Sequence, residues 1–223
     1  RRPPRSTQGV SSAASDVYKR QLLDRGNTGH DAIPMRVRPA VWVVLVGLTG
    51  RNASGKTTVV QWFAGRGIRT VSCSESIRAW LAEQGIEESR ESLIEGGREL
   101  RRRGGPGILA EMLLETLGGD DAVIDSIRTP GEVEALRARD DFILIEVTAG
   151  ADSRWARSQS RARLGDPADR ATFVAQEESE EVASDEAGQA LVATAEMADL
   201  ILINEGTVEG LHEDLENLLG SLS

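Results

Sequence analysis

Gly50, Gly55, Lys56 and Thr57 stand at the spacing G-x-x-x-x-G-K-[ST], inside the run Gly-Leu-Thr-Gly-Arg-Asn-Ala-Ser-Gly-Lys-Thr-Thr at 47–58. Glycine at the first two of these positions permits a backbone with positive φ and puts no side chain between the amides and an anion. Successive N–H groups of Arg51, Asn52, Ala53, Ser54 and Thr58 can then converge on a phosphate. Lys56 adds a point charge beside the β- and γ-phosphates, Thr57 offers its hydroxyl to Mg²⁺, and the helix that starts here contributes the positive end of its dipole. The pattern follows an apolar run, as its structural context requires. Of the 26 basic residues only Lys19 and Lys56 are lysine, so a chain that otherwise uses arginine keeps a lysine where this loop needs one.

Other candidates surround that loop. Asp125 ends an apolar run, and a carboxylate at the carboxyl edge of a strand can hold the water shell of Mg²⁺ or cap the turn that follows. Arg128 would sit in the loop above that edge, to pair bidentately with an acceptor phosphate or to form a structural salt bridge. Ser74 and Arg78 lie in the first turns of an expected helix. Arg154, Arg157 and Arg161 recur at i, i+3 and i+7, a cationic stripe that suits an anionic ligand or a solvated face. Arg101, Arg102 and Arg103 read as solvated charges near a helix end. His30 and His212 occupy non-catalytic contexts, Cys73 is the single cysteine, and neither a Ser/His/Asp arrangement nor zinc spacing is present. What remains suits phosphoryl transfer, which needs positioning and charge neutralisation more than a strong base.

The elements that must position these residues alternate in the manner of βαβ units, which predicts an α/β fold with a mostly parallel sheet. Strands are expected over 41–46, 68–72, 122–125, 142–147 and 200–203. Helices are expected over 57–63, 74–84, 91–102, 108–117, 130–139, 152–164, 172–182, 186–197 and 208–219, with a polar loop at 165–171. The paired helices at 91–102 and 108–117 exceed what a minimal crossover needs, and so could cover a substrate.

Residues 1–34 show neither period. Ser11 to Gln21 resembles an in-frame translation of a sequencing-library adapter, so residues 1–34 read as a non-native leader, Met35 as the native start and 35–223 as one domain. The chain of 223 residues has a formal charge of −10, and without the leader 20 basic residues face 33 acidic ones, −13. Such a surface argues against nucleic acid, whose binding is driven by basic patches. No apolar run approaches 18 residues, which argues against a membrane span. The single cysteine fits a reducing cytoplasm. Nothing in the sequence fixes an oligomeric state.

On these motifs the chain resembles the P-loop nucleoside monophosphate kinases, and more closely a deoxynucleotide-kinase-like branch sometimes joined to deoxycytidylate deaminase domains. The likeness spans about 43–219. It rests on the loop at 47–56, Ser-Glu-Ser-Ile-Arg at 74–78, the Gly- and Arg-rich run at 97–107, Asp-Ser-Ile-Arg-Thr-Pro-Gly-Glu-Val at 125–133, and Ala-Asp-Leu-Ile-Leu-Ile-Asn-Glu-Gly-Thr at 198–207. It implies a three-layer α/β/α sandwich around a five-stranded parallel sheet, ATP on the P-loop, Mg²⁺, a small phosphorylated acceptor and a deaminase-domain partner. By the same resemblance Arg78 and Arg128 would hold the acceptor phosphate. Arg157 and Arg161 would approach ATP from the lid side, Asn204 and Gly206 would approach the adenine, and 165–170 would form a short lid. The segment at 198–207 also resembles dephospho-coenzyme A kinase, but Ser72-Cys73-Ser74-Glu75-Ser76 replaces that family's Asp-containing acceptor motif, so a nucleotide acceptor ranks first. A nucleotide-sensing module without turnover is the reading from another class.

Overall fold

The computed structural model describes residues 45–161, 166–181 and 187–220. The strand β1 (Leu45–Thr49) is buried along its whole length, and the helix α1 (Lys56–Ala64) follows it across the glycine loop, burying Val59, Trp62 and Phe63. β2 (Arg69–Ser72) leads into α2 (Cys73–Glu83), where the Ser72 hydroxyl and the Glu75 carboxylate satisfy each other's backbone amides as a capping box. α3 (Arg90–Gly104) starts at a second capping box built from Ser89 and Ser92 and runs to the glycines before α4 (Ile108–Leu117). β3 (Ala122–Asp125) is followed by α5 (Pro130–Leu136), which has proline in its first turn and a Thr129/Glu132 capping box. β4 (Phe142–Thr148), α6 (Ala151–Arg161), α7 (Arg170–Glu181), α8 (Leu191–Ala195), β5 (Leu200–Ile203) and α9 (Val208–Gly220) complete the chain.

The five strands pair in the order β2-β3-β1-β4-β5, every pair parallel. Side chains alternate across the sheet and build two cores. Leu45, Ala122, Ile124, Phe142 and Leu144 meet Ile77, Trp80, Leu109, Met112 and Val133 on one face. Val46, Leu48, Val123, Ile145 and Val147 meet Val59, Trp62, Phe63, Leu211 and Leu215 on the other. The inner strands β1, β3 and β4, covered on both faces, read as near-continuous apolar runs, while the edge strand β2, Arg-Thr-Val-Ser, does not. The architecture is the three-layer α/β/α sandwich expected, and it places the first loop at the centre of the carboxyl edge, where the order reverses between β1 and its two neighbours.

Several boundaries moved. β1 runs to Thr49, past the expected end at 46, because its pairing with β4 continues to Thr49 opposite Glu146, and Gly47 leaves the space that Ile127 and Phe142 fill. The helix expected over 130–139 stops at Leu136, and that over 186–197 shortens to α8. α7 starts at Arg170, taking it out of the expected lid loop. The expectations for the leader, Met35, residues 41–44 and 162–165, Val182 and Glu186 lie outside the described residues.

Candidate functional site

Between β1 and α1 the backbone is turned by Gly50 at φ 130° and Gly55 at φ 112°, with Ala53 also left-handed at φ 58°. A β-carbon on Gly50 would collide with the Val147 carbonyl, and one on Gly55 with the side-chain amide of Asn204. Lys56 arches back over the turn, its Nζ donating to the carbonyls of Gly50 at 2.6 Å and Arg51 at 2.9 Å. Burial pushes its pKa down to about 8; the carboxylates of Asp125 and Glu180 pull it up, and the guanidiniums of Arg128 and Arg161 push it further down. These four charged groups, on three separate stretches of chain, surround the ammonium.

The last strand and α6 brace the turn from behind. Asn204 donates through Nδ2 to the Ser54 carbonyl at 2.9 Å, and Arg157 donates to the Asn204 carbonyl at 2.9 Å and to the Ser54 carbonyl at 3.4 Å. Arg161 donates to Asn52 Oδ1 at 2.9 Å and pairs with Asp166 at 2.7 Å. Gly206 is exposed on the same side. Asn204 thus has its side chain committed to the loop.

One cleft of about 890 Å³ joins this turn to the β2–α2 side, and Asn52 through Thr58, Ser74, Arg78, Asp125, Arg128, Arg157, Arg161, Asn204 and Gly206 all line it. Arg51 stands apart, paired with Glu181 at 2.6 Å. Asp125 accepts from the Ser126 amide at 2.6 Å, in a turn held by Ser126 at φ 66°. Arg128 donates to Glu180 and Gln189, both at 3.0 Å, while Arg78 donates to Glu88 and to the Ser74 hydroxyl, both at 2.9 Å. Thr57 is exposed towards the cleft.

Two expectations are corrected. Arg101 is buried rather than solvated, with its guanidinium on the fully buried Glu132 at 2.7 Å. The Arg154–Arg157–Arg161 stripe divides: Arg154 turns inward onto Glu177 through two hydrogen bonds at 2.9 and 2.7 Å, and only Arg157 and Arg161 reach the cleft. The sequence reading missed Arg90, Glu132 and Glu180. A hint was available for Glu132, which stands three residues after Thr129 in a capping-box pattern. Arg90 and Glu180 carry no local signal, since they meet across 90 residues of chain.

No family model matches the chain. It is 26% identical over 187 residues to a UPF0200 protein of Thermococcus kodakarensis, covering 80% of this chain and 98% of that one. With a UPF0200 protein of Pyrococcus furiosus it shares 29% over 185 residues, 78% of this chain and 95% of the other. Among solved structures, TT1252 from Thermus thermophilus superposes with a TM-score of 0.53 at 20% identity, over 81% of this chain and 98% of that chain. Shikimate kinase from Bacteroides thetaiotaomicron superposes at 0.52 and 14% identity, over 79% and 98%. With a phosphate-type loop on the central strand of a five-stranded parallel sheet, this chain has the α/β fold of the small P-loop kinases.

Proposed function

We propose that the protein is an ATP- and Mg²⁺-dependent phosphotransferase acting on a small phosphorylated acceptor, a nucleoside or deoxynucleoside monophosphate. The observation that carries this reading is that Lys56, Asp125, Arg128 and Arg78 line one continuous cleft. A bare nucleotide-binding loop would need only the first. Loop amides and Lys56 neutralise the nucleotide phosphates, and Lys56 reaches them by exchanging the Gly50 and Arg51 carbonyls for phosphate oxygens. Arg128 and Arg78 hold the acceptor in line, while Arg161 bears on the same charge from the far side. Arg157 acts at one remove, fixing the Ser54 carbonyl and so the loop's shape.

Thr57 and Asp125 are the oxygen ligands this chain offers a divalent cation, and the described residues hold no group of three or more His, Cys, Asp or Glu able to cage one. That donor set fits Mg²⁺, which takes few protein ligands and completes its shell with water and phosphate. When bound, Mg²⁺ would neutralise charge between the β- and γ-phosphates.

The test is ADP formation from ATP with a panel of nucleoside and deoxynucleoside monophosphates and dephospho-coenzyme A. Acceptor-dependent ADP is expected from a monophosphate, and Lys56→Ala should lower the rate by about 100- to 1000-fold with the fold retained. A folded protein that forms no ADP with any member overturns the reading. Turnover with dephospho-coenzyme A alone transfers it to that acceptor. The nucleotide-sensing alternative draws on a specific observation, the occupation of Arg78 and Arg128 by Glu88 and Glu180, and its signature is nucleotide binding without ADP.

A further inference from the structure

The Glu180 carboxylate lies in the cleft only 5% exposed and divides its two oxygens between two guanidiniums. Oε1 accepts from Arg90 Nη2, and Oε2 accepts from Arg128 Nη1 at 3.0 Å. The three residues come from distant parts of the chain: Arg90 opens α3, Arg128 lies in the loop after β3, and Glu180 is on α7. Gln189 supplies a further acceptor to Arg128 at 3.0 Å. The Arg128 amide donates to Glu132 at 2.8 Å, and Ala190 donates to the Arg128 carbonyl at 2.9 Å, so the backbone carrying this guanidinium is held from both sides. Glu180 is also one of the carboxylates acting on the Lys56 ammonium. The anion held by Arg90 and Arg128 therefore sits on the side of the cleft that faces the phosphate loop.

We propose that Arg90 and Arg128 form the anion subsite for the acceptor's phosphomonoester, and that Glu180 occupies this subsite in the ligand-free protein as an internal competitor. The inference rests on the phosphotransferase reading for its acceptor and adds to it a residue and a ligand charge state. A buried carboxylate between two arginines is weak evidence of a purely structural role, because the desolvation of three charges offsets much of their attraction. A phosphomonoester dianion can accept from both guanidiniums, as Glu180 does, with a third oxygen to spare and roughly twice the charge. A neutral hydroxyl acceptor brings no charge with which to displace the carboxylate. The subsite thus selects acceptors that already carry phosphate, in their dianionic form above pH about 6.

The experiment compares wild type, Glu180→Gln, Arg90→Met and Arg90→Lys in two measurements. One is calorimetric binding of inorganic phosphate without nucleotide; the other is the acceptor KM with whichever monophosphate of the panel yields most ADP. Glu180→Gln keeps the shape and removes the competing charge. It should tighten phosphate binding and lower the acceptor KM by about tenfold, the gain expected if the wild-type subsite is open roughly a tenth of the time. Arg90→Met should weaken both by about 10- to 100-fold through loss of a charge-assisted hydrogen bond, and Arg90→Lys by less, with the KM for ATP unchanged in each. Phosphate binding that is unchanged or weaker in Glu180→Gln, or unchanged in both Arg90 variants, overturns the proposal. If Arg90→Met fails to fold, Arg90→Lys and Glu180→Gln decide the matter. Phosphate binding that shifts as expected with no ADP from any acceptor upholds the subsite and sinks the phosphotransferase reading; turnover with no shift in either measurement does the reverse.

Discussion

The ammonium of Lys56 is held by two carbonyls and desolvated, with its pKa near 8 instead of 10.5. In the folded protein it therefore loses its proton more readily than in the unfolded chain. Its charged form costs stability below about pH 8, and that cost is relieved as pH rises from about 8 towards 10.5. A bound polyphosphate replaces neutral carbonyls by charged oxygens and must raise this pKa, so binding takes up a proton in the same window. Nucleotide affinity is expected to fall as pH rises through 8, with net proton uptake seen calorimetrically in buffers of different ionisation enthalpy, and Lys56→Met should flatten both. Gly55 tests the turn itself: Gly55→Ala adds a β-carbon at φ 112° against the Asn204 amide. Nucleotide binding should be lost, and the urea midpoint should drop by the equivalent of about 1–3 kcal/mol. These loop residues were legible in the sequence because glycine, lysine and threonine at fixed spacing encode a local backbone shape. Arg101, Arg154 and Glu180 were not, since their roles are set by partners 31, 23 and 90 residues away.

At the level of elements, the loop after β3 depends on one carboxylate. Glu132 is fully buried, accepts from the amides of Arg128 at 2.8 Å and Thr129 at 3.2 Å through one oxygen, and takes Arg101 at 2.7 Å on the other. It caps α5, fixes the start of the Arg128 loop and ties α3 to both. Glu132→Ala leaves Arg101 buried without its counter-charge, and removing one member of such a pair typically costs about 3–5 kcal/mol. The loss should show as a lower urea midpoint at constant slope. Burial pushes the neighbouring Cys73 thiol up, and the Glu132 charge pushes it in the same direction, so Glu132→Ala should also make Cys73 more acidic and quicker to react in the unfolding baseline. The inner strands were readable as near-continuous apolar runs and most helices by apolar positions recurring every three to four residues, whereas β2, Arg-Thr-Val-Ser, and α6, whose buried residues are Arg154 and Ser158, carry weak patterns. α8 was overextended: Val192 is exposed and only Leu191 and Thr194 are buried, so the apolar letters at 190–197 did not report burial along a helix.

For the whole molecule, α7 is the part that touches both halves of the cleft. Its Glu177 pairs with Arg154 of α6 at 2.7 Å, its Glu181 with Arg51 of the phosphate loop at 2.6 Å, and its Glu180 with Arg90 and Arg128. Arg51 is 41% exposed, so its pair with Glu181 is screened and worth little by itself. A nucleotide polyphosphate beside the loop offers Arg51 a stronger partner than Glu181. Drawing Arg51 away removes one of the ion pairs that hold α7 and makes Glu180 easier to displace from the acceptor side. The opposing effect is repulsion between the two bound anions, which Lys56, Arg128 and Arg161 screen from positions around the same point. Coupling between sites is commonly 5- to 150-fold, and it must be equal in both directions. Because an exposed ion pair is worth at most about 1 kcal/mol, inorganic phosphate is expected to bind tighter by up to about fivefold in the presence of a non-hydrolysable ATP analogue, and the analogue tighter by the same factor in phosphate. Arg51→Met should raise phosphate affinity without nucleotide and shrink the coupling, since it releases α7 beforehand. Coupling that is absent or negative in wild type, or unchanged in Arg51→Met, would show that α7 does not link the two sides.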